Sequence, residues 1–497
     1  MNKKLINGSG ASSGAIYLMF VRVVTILLGF VIARILSEYL TKFDYGTYSQ
    51  IMLVVSTAAS LSIFGMADGV NFFFCNEQDK YKRESFVATI FSMQYIIGIV
   101  VAVVFIVFAV PICRYFDNNS LRPLLYISAF LPMLQNLISM LQVLFFSIGK
   151  AKSIAVRNLI CSVIKLGTVV IACIYVKSLA IILISSLVVD VIQCIFFYFV
   201  LHKNNCKFRL SKTEFSLVGR ILTYTVPMAG FTVVSTFARD MDKYVISAFM
   251  DTEMLAVYSN ASKMLPFDII MSSFVTILLP YITGYISKKK LSEAVSLYKQ
   301  FLEMTYITTS ILAVAVLICS SETMCLLYTE KYLDGLAVFC IYILVDIIRF
   351  TNITLVLSAA GKTLTILLVS LAGLVLNFVL NLICFYIFGF QGPAIATFIV
   401  TFMMGIMFLH YSAKELNTTV LKLFDVKYMI GFIAKTAIAG TVCLLIRNLL
   451  TNAGLKYIFV MAISMGIFGI TMLALNFKRL FKILKYFEAL KLDTASK

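Results

Sequence analysis

The sequence predicts an all-α polytopic membrane protein of about fourteen transmembrane helices, and three observations carry that prediction. First, 61% of the 497 residues are hydrophobic and only 13% are charged, at a mean hydropathy of +0.96. A soluble fold of this length has too little interior to hide so much apolar surface from water, and the same composition excludes a disordered chain. Second, the connections between apolar runs alternate between rich and poor in Lys and Arg. Third, matched motifs recur once along the chain, at offsets of 210 and 212 residues.

The first apolar run, 12–36, is too long for a signal-peptide core, carries Arg22 and Arg34, and ends without a small-residue cleavage site. It is therefore expected to stay as a span. Further spans are expected near 47–74, 86–110, 124–148, 158–176, 179–201, 221–249, 255–283, 304–320, 336–359, 363–388, 394–411, 432–450 and 457–475. Pro227, Pro266 and Pro280 are expected to interrupt the seventh and eighth. After the last span, Phe477, Leu480, Phe481, Leu484, Phe487 and Leu490 recur at helical spacing opposite Lys478, Lys482 and Lys485. That pattern predicts a basic amphipathic helix along the cytoplasmic surface, and 288–301 is a weaker version of it.

Of the 42 Lys and Arg residues, 27 fall in the N-terminus, the even-numbered connections and the C-terminal tail, 7 in the odd-numbered connections and 8 inside spans. An early error of one span would destroy that asymmetry. By the positive-inside rule both termini are expected to be cytoplasmic. The net charge of +18 then faces anionic lipid, which removes the motive for a nucleic-acid partner.

Phe43-Asp44-Tyr45-Gly46-Thr47-Tyr48-Ser49 after the first span matches Glu253-Met254-Leu255-Ala256-Val257-Tyr258-Ser259 after the seventh, and Gly149-Lys150 matches Gly361-Lys362. Six spans separate each pair, so the halves run in the same direction, as parallel repeats. The expected architecture is two pseudo-symmetric six-helix lobes, 1–214 and 215–415, around a central cavity, with two further helices and the basic tail in 416–497. That is the layout of a transporter.

Enzyme chemistry is not expected. The longest outer connection, 321–335, is short, and the histidines, His202 and His410, lie at span ends. Gly361-Lys362-Thr363 is only a fragment of a phosphate-binding loop, so no ATP hydrolysis is expected. The 11 cysteines include no CxxC pair, which argues against a disulfide framework and a metal site. No cofactor is expected.

With Gly29-Phe30-Val31-Ile32-Ala33-Arg34-Ile35-Leu36 before Tyr45-Gly46-Thr47-Tyr48, Pro227 before Asp242-Lys243-Tyr244-Val245-Ile246, and Val257-Tyr258-Ser259-Asn260-Ala261-Ser262-Lys263-Met264, the order of motifs becomes specific. Asn377-Phe378-Val379-Leu380-Asn381-Leu382 and Gly389-Phe390-Gln391-Gly392-Pro393-Ala394-Ile395-Ala396-Thr397 extend it. Over nearly its whole length the chain resembles the polysaccharide flippases of the multidrug/oligosaccharidyl-lipid/polysaccharide exporter superfamily. Ala256 departs from the glycine usual before the second tyrosine, and two spans follow the twelve-span core. The resemblance implies alternating access that carries an undecaprenyl-pyrophosphate-linked oligosaccharide repeat unit from the cytoplasmic to the outer leaflet of a bacterial inner membrane. It implies service to O-antigen or capsule assembly, alongside a polysaccharide polymerase and a chain-length regulator, with coupling to an H+ or Na+ gradient or the membrane potential.

A charge at a helix centre costs ~2.5–3.5 kcal/mol even on the lenient insertion scale, so each intramembrane charge is a candidate. Arg22 lies near the middle of the first span, where a guanidinium fork suits pyrophosphate oxygens. Arg34, Lys165, Arg239, Lys243 and Arg349 complete the basic substrate candidates, and Asn377 and Asn381, on one helical face, are candidates for sugar hydroxyls. The i,i+3 spacings Arg239–Asp242, Asp240–Lys243 and Asp346–Arg349 equally allow internal pairing. Asp268, Asp242, Asp240 and Asp346 are the carboxylate candidates for cation coupling, Asp268 foremost because only Lys263 is near it on its own helix. A multidrug exporter of the same superfamily would favour acidic and aromatic cavity groups. The intramembrane basic residues slightly outnumber the acidic ones, which favours an anionic substrate; a peptidoglycan lipid-precursor flippase is the other alternative.

Overall fold

The computed structural model describes residues 8–203 and 212–495, and no strand occurs among them. Among the described residues, eleven helical stretches are long and apolar enough to cross a membrane, and one of them, Thr363–Glu415, contains two helices of more than 20 residues each, of 26 and 24 residues. The chain is a multi-pass, all-helical membrane protein. Contacts group it into two compact units, Met1–Ser259 and Asn260–Lys497.

The first unit runs through α1 (Gly8–Tyr39), α2 (Lys42–Ser62), α3 (Met66–Asn76), α4 (Lys80–Val107), α5 (Ala109–Tyr115), α6 (Leu121–Ser128), α7 (Leu131–Ser147), α8 (Ala151–Ile171), α9 (Leu179–Lys203) and α10 (Val218–Phe249), and α11 (Thr252–Ala261) begins in it. Two cores hold it. Ile51, Leu53 and Val55 of α2 pack with Phe105 of α4, Cys113 of α5 and Leu125 of α6. Toward the other end of the bundle, Phe73 of α3, Phe91 of α4, Phe145 of α7 and Phe197 of α9 pack with Ile221 of α10. α10 lies on α2 and α3, while α1 lies on α8.

The second unit comprises α12 (Asp268–Ser287), α13 (Leu291–Ile318), α14 (Ser320–Tyr328), α15 (Leu336–Ile348), α16 (Leu355–Ala359), α17 (Thr363–Phe388), α18 (Gly392–Glu415), α19 (Val426–Asn452) and α20 (Tyr457–Ala495). Its core centres on α13, with Tyr298, Phe301 and Leu302 fully enclosed.

The duplication is written into the helices. α1 and α10 are both 32 residues long and start 210 residues apart. The same offset relates the N-caps that follow them: Thr41 Oγ1 accepts from the Asp44 N–H at 3.0 Å, and Asp251 Oδ1 accepts from the Met254 N–H at 2.7 Å. The two Gly-Lys turns are also alike. Gly149 (φ +73°) and Gly361 (φ +71°) take the left-handed conformation that glycine adopts without cost, and Lys150 N–H and Lys362 N–H each donate 2.9 Å back to Phe145 and Leu357 carbonyls.

Several predicted spans are broken. The second is α2 plus α3, divided where Phe64 and Gly65 both take positive φ; the fourth is α6 plus α7. The eighth is α11 plus α12, with non-helical residues around Pro266, whereas Pro227 and Pro280 sit inside continuous helices. The amphipathic tail is not a separate helix: α20 carries the fourteenth span and the basic stretch in one 39-residue run. Ile483 and Phe487 turn into the core of the second unit, and Phe477, Phe481 and Leu484 stay exposed. Likewise 288–301 leads directly into the ninth span as the first half of α13.

Candidate functional site

Four charged residues fall within one and a half turns of α10. Asp240 is 5% exposed, and its two oxygens take different cations: Oδ1 accepts from Lys243 Nζ at 2.8 Å and Oδ2 from Arg239 Nη2 at 3.2 Å. The i,i+3 pairing of Asp240 with Lys243 is thus formed, while Arg239 reaches the adjacent carboxylate and not Asp242. Asp242, 2% exposed, accepts from the Lys243 backbone N–H at 2.9 Å. Two cations and two carboxylates make the set neutral, which is how it is tolerated at membrane depth. Arg239 alone extends outward, its side chain 55% exposed. It is the member with donors to offer a ligand.

Beside this set, hydroxyls and amides join α2 to α10 and α11. Tyr244 and Thr57 share a hydroxyl–hydroxyl hydrogen bond, and Tyr115 Oη donates to the Tyr244 carbonyl at 3.0 Å. Gln50 Nε2 donates to Thr252 Oγ1 at 3.1 Å, and Asn118 Nδ2 donates to Thr47 Oγ1 and Gln50 Oε1, both at 2.9 Å. Gln50, Asn118 and Thr47 are buried. In the sequence only the motif around Gly46 points here; Gln50, Asn118 and Thr252 carry no charge and belong to no motif.

The remaining candidates are dispersed. Arg22 is an exposed side chain on α1, and Arg34 pairs with Glu38 at 3.3 Å. Lys165, half-buried on α8, interacts electrostatically with Asp190 of α9. The latter accepts from Gln193 Nε2 at 3.0 Å, and Gln193 Oε1 in turn accepts from Arg157 Nη1. Arg157 lies just outside the expected span 158–176, yet it is 2% exposed within α8 and stacks over Phe197.

In the second unit, Arg349 lies 3.6 Å from Asp346, whose other oxygen accepts from the Leu265 N–H at 3.2 Å. Asn381 donates to the Asn377 carbonyl at 2.7 Å and to Asn377 Oδ1 at 2.9 Å, so these two buried amides engage each other. Asp268 opens α12, and its side chain lies outside the described residues. Two further arginines form ion pairs that the sequence does not indicate. Arg479 of α20 grips buried Glu303 of α13 with two donors, reaches Asp425 at 2.9 Å and stacks over Tyr428. Arg447 of α19 donates 2.8 Å to Glu322, which is 7% exposed, at the start of α14. Asp425 caps α19 by accepting from the Tyr428 N–H at 3.2 Å. That bond and the Arg479 guanidinium hold its carboxyl below the usual range.

A family model described as polysaccharide biosynthesis protein matches residues 31–337. No curated protein matches the chain. Among solved structures, the lipid II flippase MurJ in an inward closed conformation superposes with a TM-score of 0.74 at 16% identity, covering 94% of this chain and 100% of that one. An inward-facing multidrug resistance MATE family transporter of the MOP superfamily gives 0.66 at 11% identity, with 81% and 98% covered. A MOP superfamily transporter from Pyrococcus furiosus, titled for the reverse polarity of its binding pocket, gives 0.56 at 12%, with 82% and 94% covered. These likenesses establish the fold.

Proposed function

The chain belongs to the polysaccharide biosynthesis protein family, and from that premise we propose that it is a flippase for an undecaprenyl-pyrophosphate-linked oligosaccharide repeat unit. The match across 31–337 is the observation that carries this reading, and the shared fold with membrane flippases and exporters supports it. The protein sits in the bacterial inner membrane with both ends cytoplasmic, and works beside a polymerase and a chain-length regulator in surface polysaccharide assembly.

The chemistry of the step follows from the substrate. A pyrophosphate bears at least two negative charges, and carrying it through hydrocarbon uncompensated is prohibitive. Cations must therefore accompany it. Arg22 and Arg239, the outward-reaching arginines of α1 and α10, grip it first, with Lys243 behind Arg239 and Lys165 deeper. Arg349 lies deeper as Lys165 does, Arg34 contributes nearer the end of α1, and Asn377 and Asn381 receive sugar hydroxyls once their mutual bonds open. The lipid tail stays in the bilayer and only the head group crosses. Asp240, Asp242, Asp346 and Asp268 are the carboxylates through which an H+ or Na+ gradient couples to the cycle.

Deleting the gene tests the reading. We expect lipid-linked oligosaccharide to accumulate in the cytoplasmic leaflet and surface polysaccharide to cease. Normal surface glycan with new sensitivity to cationic drugs would establish a multidrug exporter instead, and arrested cell-wall synthesis would establish a peptidoglycan lipid-precursor flippase.

A further inference from the structure

The first unit contains a cavity of about 640 Å³ that the transport reading does not use. Its walls come from α2, α4, α5 and α10, and its floor includes Phe105 and Phe116, both almost fully enclosed. No ionised side chain lines it. Three hydroxyls do, those of Thr57, Tyr115 and Tyr244, and each is already engaged: Thr57 with Tyr244, and Tyr115 with the Tyr244 carbonyl. The wall thus holds no idle polar group for a sugar, a phosphate or an amine, and water entering it would find few partners.

Where the cavity opens decides what fills it. Val104 and Phe108, at its mouth, are about half exposed, and they continue the strip Val100, Val103 and Val107 on the outer face of α4. In a membrane protein that strip faces lipid, so the cavity is continuous with the hydrocarbon boundary. The charged set of α10 lies on a neighbouring face of that helix. Phe237, Met241 and Tyr244 line the cavity at i, i+4 and i+7; Asp240, at i+3, borders that face without lining the cavity and is paired to Lys243, which lies further round the helix.

We propose that this cavity is a binding site for one acyl chain of a membrane phospholipid. An uncharged wall complements an uncharged chain, and the mouth admits it sideways from the leaflet in which it already resides. Phospholipid is the bulk component at that mouth, and a long polyprenyl chain would leave most of its length outside. Seated there, the acyl chain fills the gap between α10 and the α2–α4–α5 wall, so it acts as a packing element of the first unit.

The test uses the full-length protein in vesicles of phosphatidylethanolamine and phosphatidylglycerol containing a trace of phosphatidylglycerol with a diazirine on one acyl chain. After illumination, label should map to cavity residues such as Ala58, Val101 and Met241. Ala58→Phe, which places a ring in the cavity, should lower that labelling about tenfold, whereas Val103→Phe, on the outer strip of the same α4, should leave it unchanged. If Ala58→Phe does not assemble, the wild-type map decides by itself. Label confined to the Val100–Val103–Val107 strip overturns the site. So does a cavity labelled by a diazirine polyprenyl phosphate and not by the phospholipid. Neither outcome depends on which sugar, if any, the protein carries.

Discussion

Gly46 of α2 meets Thr252 of α11 in backbone contact: a β-carbon at position 46 would lie 2.0 Å from the Thr252 carbonyl oxygen. The same Thr252 accepts from Gln50, one turn further along α2. The glycine in Tyr45-Gly46-Thr47-Tyr48 is therefore a requirement of close approach. The second copy carries Ala256 at the matching position.

Gly46→Ala should destabilise the protein by about 1–3 kcal/mol, because backbone must give way to the added methyl. Gly29, on α1, has nothing within 4 Å of an added β-carbon. Gly29→Ala should be neutral or stabilising by up to about 1 kcal/mol. Thermal unfolding in detergent compares the two; equal losses would refute the contact.

Asp240 and Arg239 should separate folding from transport. Asp240→Ala strands Lys243 and Arg239 beside a buried site and should cost about 3–5 kcal/mol. Arg239→Ala removes a mostly exposed partner and should cost no more than about 1 kcal/mol. On the proposed function, Arg239→Ala should still slow glycan export at normal expression, as pulse-labelled surface polysaccharide would report.

Arg22→Ala should slow export by removing a charge-assisted contact of about 1.5–3 kcal/mol. Arg22→Lys should restore it only in part, because an ammonium keeps the charge and loses the fork. Export at the wild-type rate by both variants, at equal membrane levels, refutes the role of this arginine.

Acid should weaken the α19 cap. The Asp425 carboxyl is depressed by the Tyr428 N–H and by Arg479, so its contribution is complete above the unfolded value, about 3.9, and is lost as pH falls through the folded value. Between about pH 5 and pH 3 the wild type should therefore lose more melting temperature than Asp425→Asn, whose cap does not titrate. Parallel losses would mean that Asp425 contributes nothing.

Much of this fold is legible in the sequence because lipid demands long apolar helices, and because duplication leaves caps and turns at constant offset, as Thr41 and Asp251 do. The break at Phe64–Gly65 is not legible: the run 47–74 is apolar on average despite Gln50, Asp68 and Asn71, and Gly65, where the chain breaks, looks the same in sequence as Gly69, which sits inside α3. Counting basic residues as connections also misplaces Arg157, since an arginine one or two turns inside a helix end looks the same in sequence as one outside it. Pairings such as Arg479 with Glu303 bridge 176 residues, and no local spacing encodes them. The candidate site was legible where its partners are neighbours on one helix, in Asp240 and Lys243. It was hidden where uncharged groups from two helices and the α5–α6 connection converge, in Gln50, Thr252 and Asn118.

The unbroken run of α20 makes it a ruler. At 1.5 Å per residue its 39 residues measure about 58 Å, against about 30 Å of bilayer hydrocarbon. Close to half its length has to stand clear of the acyl chains or be taken up by tilt. Arg479, clamped to Glu303 and Asp425, pins one graduation of that ruler to α13 and to the start of α19. A tilt of the span about this pin would swing both ends in opposite directions, so the depth of the last span and the height of the basic tail are one mechanical variable.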